Sequence, residues 1–166
     1  MKSYLSVFIL SIIYFSYAGT QSSNSSLTKE EQSELVSAHN KWRAMVGVDS
    51  VAWSEELAEE AQKWAEYLAK KGCRMKHSNT KNGENIYWSD YKSSPVEVVS
   101  EWASERKYYK GEKIKPSKIS KYGHYTQMIW HNTKYVGCGK AICKNGSEIW
   151  VCSYSPAGNF LGERAY

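Results

Sequence analysis

Proline, cysteine and long blocks of one charge are all scarce in this chain. Only 3 of its 166 residues are proline and 4 are cysteine, and 22 basic side chains stand against 17 acidic ones. The basic residues are scattered rather than gathered into a patch, so the composition does not favour nucleic acid as a partner. At 42% hydrophobic and 14% aromatic, the chain is too apolar to be disordered. We expect one globular domain with weak or no association with membrane surfaces.

Long apolar runs are also lacking, apart from one near the start of the chain. This run, at residues 5–15, is too short to span a bilayer comfortably. A lysine precedes it, and the small residues that signal peptidase reads follow it up to Ala18. We expect residues 1–18 to be a secretion signal, 19–27 a loose mature N-terminus and 28–166 the folded domain of an extracellular protein. A buried core helix is the alternative interpretation of the apolar run.

Secretion changes the interpretation of the four cysteines and of two short motifs. In an oxidising compartment two disulfides are the default for four cysteines, and their spacings fit no zinc ribbon. Asn24 and Asn145 each begin an acceptor sequence for N-linked glycans, and Asn145 precedes a glycine at an expected hairpin tip. We therefore expect a disulfide-bonded glycoprotein.

Three helices have recognisable N-terminal signals. Thr28 and Ser94 each precede a glutamate by three residues, which is the spacing of a capping box. Ser54 precedes two glutamates that suit the positive end of a helix dipole. Apolar residues recur behind all three at helical spacing. In the first helix His39 and Arg43 lie one turn apart, and we expect both to make structural hydrogen bonds rather than bind a ligand.

The remaining elements follow from weaker patterns. Residues 73–85 are rich in Ser, Asn, Lys and Gly and predict a loop. The segment GHYTQMIW predicts a short helix. Tyr135–Cys143 and Glu148–Ser155 predict two strands joined near an Asn-Gly turn.

The length of the hairpin loop decides how the cysteines face each other. A two-residue turn places the residue after Cys138 opposite Cys152, whereas a three-residue loop with Gly146 left-handed places Cys138 itself there. Directly opposed residues hold their β-carbons close enough for a disulfide. The three-residue loop therefore pairs Cys138 with Cys152 and leaves Cys143 for Cys73.

Two segments near the end of the chain carry a family resemblance. GHYTQMIWHNTKYVGCG and VCSYSPAGN closely resemble the paired signatures of the CAP superfamily of cysteine-rich secretory proteins, antigen 5 and plant pathogenesis-related proteins. The resemblance covers residues 28–166. It implies an α+β fold, an α/β/α sandwich with a small antiparallel sheet between helices and two disulfides, Cys73–Cys143 and Cys138–Cys152. Many secreted relatives carry a further cysteine pair just before GHYTQ, and this chain does not.

The resemblance also implies a central cleft with two histidines and two glutamates. Matching motifs place them at His77 in MKHS, Glu84 in GENI, Glu105 in WASE and His124 in GHYT. Two neutral imidazoles can ligate a divalent ion, zinc above all, with water in the other positions. The carboxylates can fix the orientation of each ring. We expect a site that holds zinc or another divalent cation, not required for folding, or else a rigid His–Glu network without metal.

The function that the resemblance implies is binding rather than catalysis. Relatives bind sterols or fatty-acyl chains and act at host or defence interfaces, so we expect a sterol or a fatty acid as the ligand. One alternative is a metal-dependent hydrolase, a protease or esterase, that uses the His/Glu cleft. Another is a module that binds a cell-surface receptor. Neither serine nor cysteine offers an activated nucleophile, since Ser104 beside Glu105 has no assigned base.

Overall fold

The computed structural model describes residues 26–166, so the expected secretion signal, residues 19–25 and Asn24 lie outside the described residues. Its helices are α1 (Lys29–Met45), α2 (Glu55–Lys70), α3 (Pro95–Ser104) and α4 (Ile119–Met128), with a short 3-10 helix, Glu105–Tyr108, directly after α3. Its strands are β1 (Ala52–Trp53), β2 (Gly83–Ser89), β3 (Tyr135–Ile142) and β4 (Glu148–Ser155). Within this range every helix is too short or too polar to cross a membrane.

Local signals begin the helices where the sequence predicts. The Glu31 N–H donates to the Thr28 hydroxyl at 3.2 Å, and the Thr28 N–H donates to the Glu31 carboxylate at 2.8 Å. Ser94 and Glu97 form the same capping box at the start of α3. The hydroxyl of Ser54 accepts the N–H of Leu57, in the first turn of α2, at 3.3 Å. Each cap stabilises its helix by about 1 kcal/mol.

A four-stranded sheet lies between two layers of helices, in the order β1-β3-β4-β2. The three longer strands are antiparallel, as predicted, and a two-residue β1 adds a parallel pairing to β3. Successive side chains of β4 point to opposite faces of the sheet. Trp150 and Tyr154 join the core beneath α1, α3 and α4, while Ile149 and Val151 join the core beneath α2. The prediction of an α/β/α sandwich is confirmed.

Two glycines of β3 allow α2 to pack at backbone distance. A β-carbon at Gly137 would overlap the backbone of Ala58, and one at Gly139 would overlap Gln62. No other residue type leaves room for this approach. The glycines in YVGCG therefore mark the crossing of α2 over the sheet.

The hairpin has the three-residue loop, and the two disulfides follow from it. Cys138 lies opposite Cys152 with a Cα–Cα distance of 4.1 Å, and the two are bonded. Gly146 is left-handed at φ +86°. Cys73, at the end of α2, is bonded to Cys143 at a Cα–Cα distance of 6.0 Å. By loop entropy the bridges stabilise the fold by about 3 and 4 kcal/mol.

Two element predictions need correction. The loop expected at residues 73–85 ends early, because Gly83–Ser89 forms a strand that pairs along its whole length with β4. Glu84 therefore lies on β2 rather than in a loop. The helix expected at GHYTQMIW begins four residues earlier, at Ile119, and ends at Met128. Pairing with a distant strand, which local composition does not encode, created β2.

Arg43 is fully buried and fixes the end of α4. Its guanidinium donates to the carbonyl oxygens of Asp49, Met128, Trp130 and Thr133 at 2.6 to 3.0 Å. Burial lowers the pKa of Arg43 to about 10, so the side chain remains charged at neutral pH. The prediction of a structural role for Arg43 is confirmed.

Candidate functional site

The four residues expected in a central cleft come from four different elements. His77 lies in the loop after α2, Glu84 on β2, Glu105 at the start of the 3-10 helix and His124 on α4. A cleft of about 230 Å³ has His77, Glu84 and His124 among its lining residues. Glu105 does not line this cleft but contacts it through His124.

The first pair joins His77 and Glu84. Nδ1 of His77 lies 2.5 Å from the Glu84 carboxylate, which also accepts the N–H of Ser78 at 3.1 Å. The Glu84 side chain is 7% exposed and the His77 ring 65% exposed. The bond to Glu84 raises the pKa of His77. Since a carboxylate only accepts, Nδ1 carries the proton, and Nε2 of the neutral ring is free to ligate.

The second pair joins His124 and Glu105, again through Nδ1 of the histidine and a carboxylate oxygen of the glutamate. Nδ1 of His124 lies 2.7 Å from Oε1 of Glu105. The other carboxylate oxygen accepts the N–H groups of His124 and Tyr125 at 2.9 and 3.1 Å. Glu105 therefore holds both the ring and the main chain of His124. The indole of Trp102 stacks near the same ring, with centroids 6.4 Å apart and planes 19° apart.

A buried chain of hydrogen bonds supports His124 from behind. Asn85 donates through Nδ2 to the carbonyl oxygen of His124 at 3.0 Å and to the hydroxyl of Tyr154 at 3.2 Å. That hydroxyl lies 2.9 Å from Nε2 of His39, whose Nδ1 lies 2.7 Å from the Leu35 carbonyl. A carbonyl cannot donate, so Nδ1 of His39 carries the proton and Tyr154 donates to Nε2. The prediction of structural hydrogen bonds for His39 is confirmed.

Burial sets the ionisation of this chain. His39 and Tyr154 are both fully buried. Desolvation lowers the pKa of His39 to about 4 and raises the pKa of Tyr154. Both side chains are therefore neutral at physiological pH, which is the state that the hydrogen bonds require.

The C-terminal turn closes one side of the cleft. Asn159, left-handed at φ +62°, lines the cleft and donates to the Gly123 carbonyl at 2.8 Å. Thr126 donates to the amide oxygen of Asn159 at 2.6 Å. The side chain of Gln127 accepts the Gly158 N–H at 2.9 Å. Asn85 and Asn159 are not among the predicted site residues, although each lies in a motif that carries the family resemblance.

The donor set limits what a metal could bind. Among residues 26–166 no group of three or more His, Cys, Asp and Glu side chains is arranged to hold a metal ion. The carboxylates of Glu84 and Glu105 are each bonded to Nδ1 of a histidine. The nitrogen ligands that the cleft could offer a metal are therefore the two Nε2 atoms, and water would fill other positions.

A separate apolar groove lies on the other side of the sheet. It measures about 490 Å³ and is lined by the end of α2 and by β3 with its hairpin. Ala69, Ala141 and Ile142 form its apolar wall, and Lys70 and Lys144 also line it. Ile142 is 59% exposed. No residue is shared between this apolar groove and the His/Glu cleft.

Comparisons with known sequences point to one protein family. The model of the cysteine-rich secretory protein family, CAP, matches residues 36–154. Pathogenesis-related protein 1C of Nicotiana tabacum is 36% identical, and the match covers 87% of this chain and 86% of the relative. Pathogenesis-related protein 1 of Arabidopsis thaliana is also 36% identical, over 83% and 84%.

Solved structures show the same fold. BmVAL-1 has a TM-score of 0.74 at 28% identity and covers 86% of this chain and 84% of its own. NaASP2, solved with Zn²⁺, has a TM-score of 0.73 at 25% identity and covers 84% and 86%. The solved structures thus agree with the fold described above, and the family model and the relatives show that the chain belongs to the CAP family of cysteine-rich secretory proteins.

Proposed function

We propose that this chain is a secreted, non-catalytic binding protein that holds a divalent cation in its His/Glu cleft and a lipid in its apolar groove. Secretion is supported by the signal pattern at residues 1–18 and by two disulfides, which persist in oxidising compartments. As in the sequence analysis, we place its action at a host or defence interface. Exposed Asn145 is available for a glycan.

The observation that carries the metal proposal is the identical bonding of the two cleft histidines. In each, Nδ1 is bonded to a carboxylate, so the neutral ring directs its lone pair to Nε2. In this tautomer Nε2 is the ring nitrogen that can bind zinc. NaASP2 was solved with Zn²⁺, which supports zinc as the ion. Two imidazole ligands predict a weak, exchangeable site rather than a structural one.

The same bonds argue against the hydrolase alternative. A general base must be free to take a proton from water. Here Glu84 accepts from the His77 ring and one backbone N–H, and Glu105 accepts from the His124 ring and two backbone N–H groups. The four cysteines are all bonded as disulfides and cannot act as nucleophiles. Ser104 is exposed next to Glu105, and no base is assigned to it.

The lipid proposal rests on the apolar groove. Its volume of about 490 Å³ lies within the usual range for ligand sites. An aliphatic chain can pack against Ala69, Ala141 and Ile142, and Lys70 and Lys144 can bond a carboxylate or hydroxyl head group. A fatty acid or a sterol of matching length is therefore the expected ligand.

Native mass spectrometry of the protein secreted by eukaryotic cells tests this proposal. We expect the folded protein to retain a fraction of zinc that a chelator removes, and a lipid that the chelator leaves in place. Chelator-sensitive cleavage of a peptide or ester, lost on Glu84→Gln, with no lipid retained, would favour the hydrolase.

A further inference from the structure

A second groove follows the outer edge of the sheet. Strand β2 is the last strand in the order β1-β3-β4-β2, so among residues 26–166 no strand pairs with its outer side. A groove of about 420 Å³, here called the edge groove, runs along that side between β2 and α3. It meets the His/Glu cleft at His124.

The main chain of β2 forms much of the wall of the edge groove. Residues 86–91 line it without a gap, although side chains along a strand alternate between the two faces of the sheet. The carbonyl oxygen of Ile86 accepts the indole N–H of Trp102 at 3.3 Å and therefore points away from β4. Along a strand of an antiparallel pair, the main-chain N–H and C=O groups of every second residue point to the same side. The N–H and C=O groups of Trp88 thus face the edge groove as well.

The side chains around this edge are aromatic and acidic. Trp88 is 40% exposed and Tyr91 55% exposed, and both line the edge groove. Asp90, Glu101 and Glu105 supply three carboxylates to its walls. Of the residues that line it, none is lysine or arginine. In a chain with a formal net charge of +5, this acidic lining is a local reversal of sign.

We propose that the edge groove binds an extended peptide segment that carries a lysine or arginine side chain. The peptide main chain pairs with the outward N–H and C=O groups of Trp88, as in other peptides that add a strand to a sheet edge. Its cationic side chain lies against the rings of Trp88 and Tyr91 and near the carboxylates of Asp90 and Glu101. An anionic ligand would be repelled by the same carboxylates.

The proposal does not depend on metal or lipid binding. The hydrogen bonds that join the two histidine pairs do not include Glu101, which is exposed, and the apolar groove lies across the sheet. A peptide partner would give this chain a protein-recognition surface next to its cleft.

A fluorescein-labelled peptide that alternates valine with lysine is a suitable probe, with fluorescence anisotropy as the readout. We expect saturable binding that Glu101→Lys weakens by about fivefold or more, because it reverses one charge of the edge groove. Glu34→Lys, which changes the same charge on the exposed face of α1, is the matched control and should bind as the unmodified protein does. Trp88→Ala should also weaken binding.

Two further probes separate strand addition from simple charge attraction. A peptide with glutamate in place of lysine should not bind. The lysine peptide with alternate backbone nitrogens methylated should bind at least about fivefold more weakly, since it lacks donors for the strand edge. Equal loss in Glu101→Lys and Glu34→Lys, equal binding of the methylated peptide, or no binding of the lysine peptide would each overturn the proposal.

Discussion

The phenol oxygen of Tyr154 lies 2.9 Å from Nε2 of His39, although 115 residues separate them in the chain. This bond joins α1 to β4, and Asn85 extends it to the main chain of His124. In this series of hydrogen bonds each donor has an acceptor, because the neutral tautomer of His39 donates to Leu35 and accepts from Tyr154. The cleft histidine on α4 is thereby tied to the first helix through buried polar groups.

The buried His39 should make stability fall in mild acid. Its folded pKa of about 4 lies below the value of 6.5 for the unfolded chain, so only the unfolded chain binds this proton between the two values. Stability is full above about pH 6.5 and declines as pH falls towards 4, by about 3 kcal/mol in total from this residue. Urea unfolding as a function of pH measures the decline.

Variants at two histidines separate this effect from other acid-sensitive groups. His39→Gln should reduce the slope of stability against pH in that window, whatever its own cost at neutral pH. His131→Gln, at a half-buried histidine, is the matched control, and His39→Gln should change the slope more than it does. Parallel curves for wild type and His39→Gln would show that His39 is not buried neutral in solution.

Removing the Tyr154 hydroxyl should destabilise the fold without removing apolar packing. Tyr154→Phe leaves Nε2 of His39 without its donor in the buried core, which costs about 1–3 kcal/mol. Tyr135→Phe is the matched control, because Tyr135 is 51% exposed. Calorimetric or urea unfolding at neutral pH compares the two. Similar stability for both variants would contradict the hydrogen-bond chain.

Features that depend on neighbouring residues were predictable from the sequence. The capping residues Thr28 and Ser94 act within one turn, and the loop at Gly146 sets the register that pairs Cys138 with Cys152. The layered fold and the cleft residues came instead from the resemblance of two motifs to a known family. Capping residues and the hairpin loop thus predict local structure, and the family signatures predict how the layers are arranged.

Features that depend on distant partners were not predictable. The sequence predicts a loop for Glu84, because Gly, Glu and Asn begin β2, and only pairing with β4 makes that segment a strand. Asn85 reaches Tyr154 across 69 residues. The spacing of apolar residues along the sequence gives no sign of such a contact. The shape of the edge groove likewise depends on the position of β2 in the sheet.

Lipid binding should depend on the apolar groove and not on the cleft. Ile142→Glu places a charge in the wall of the groove and should weaken binding of a fatty acid or sterol by at least about tenfold. Val96→Glu adds the same charge at an exposed site on α3 and should have no effect. Binding should also survive His77→Ala combined with Glu105→Ala. A fluorescent fatty acid or sterol displaced by unlabelled lipid gives the affinities.

Equal affinity of the Ile142→Glu and Val96→Glu variants would place the lipid elsewhere. Loss of binding in the double cleft variant would mean that the lipid needs the cleft.

The hairpin tip should carry a glycan when the protein is made in a eukaryotic secretory pathway. Asn145 is exposed there, and its side-chain oxygen accepts from Ser147, leaving the amide nitrogen free. Intact mass before and after glycosidase treatment, compared with Asn145→Gln, reports occupancy. A second modified fraction would come from Asn24. An identical mass for wild type and Asn145→Gln, apart from the substitution itself, would show an unused acceptor.

Zinc titration by calorimetry tests the central claim, that His77 and His124 jointly hold a divalent cation. We predict binding at about pH 7.5 that is strongly weakened in both His77→Ala and His124→Ala and unchanged in His131→Ala. Binding should weaken towards about pH 5.5, because protons compete for Nε2, and the raised pKa of His77 moves that competition above the ordinary histidine value of 6.5. Equal affinity at both pH values, or unchanged affinity in His124→Ala, would contradict the claim.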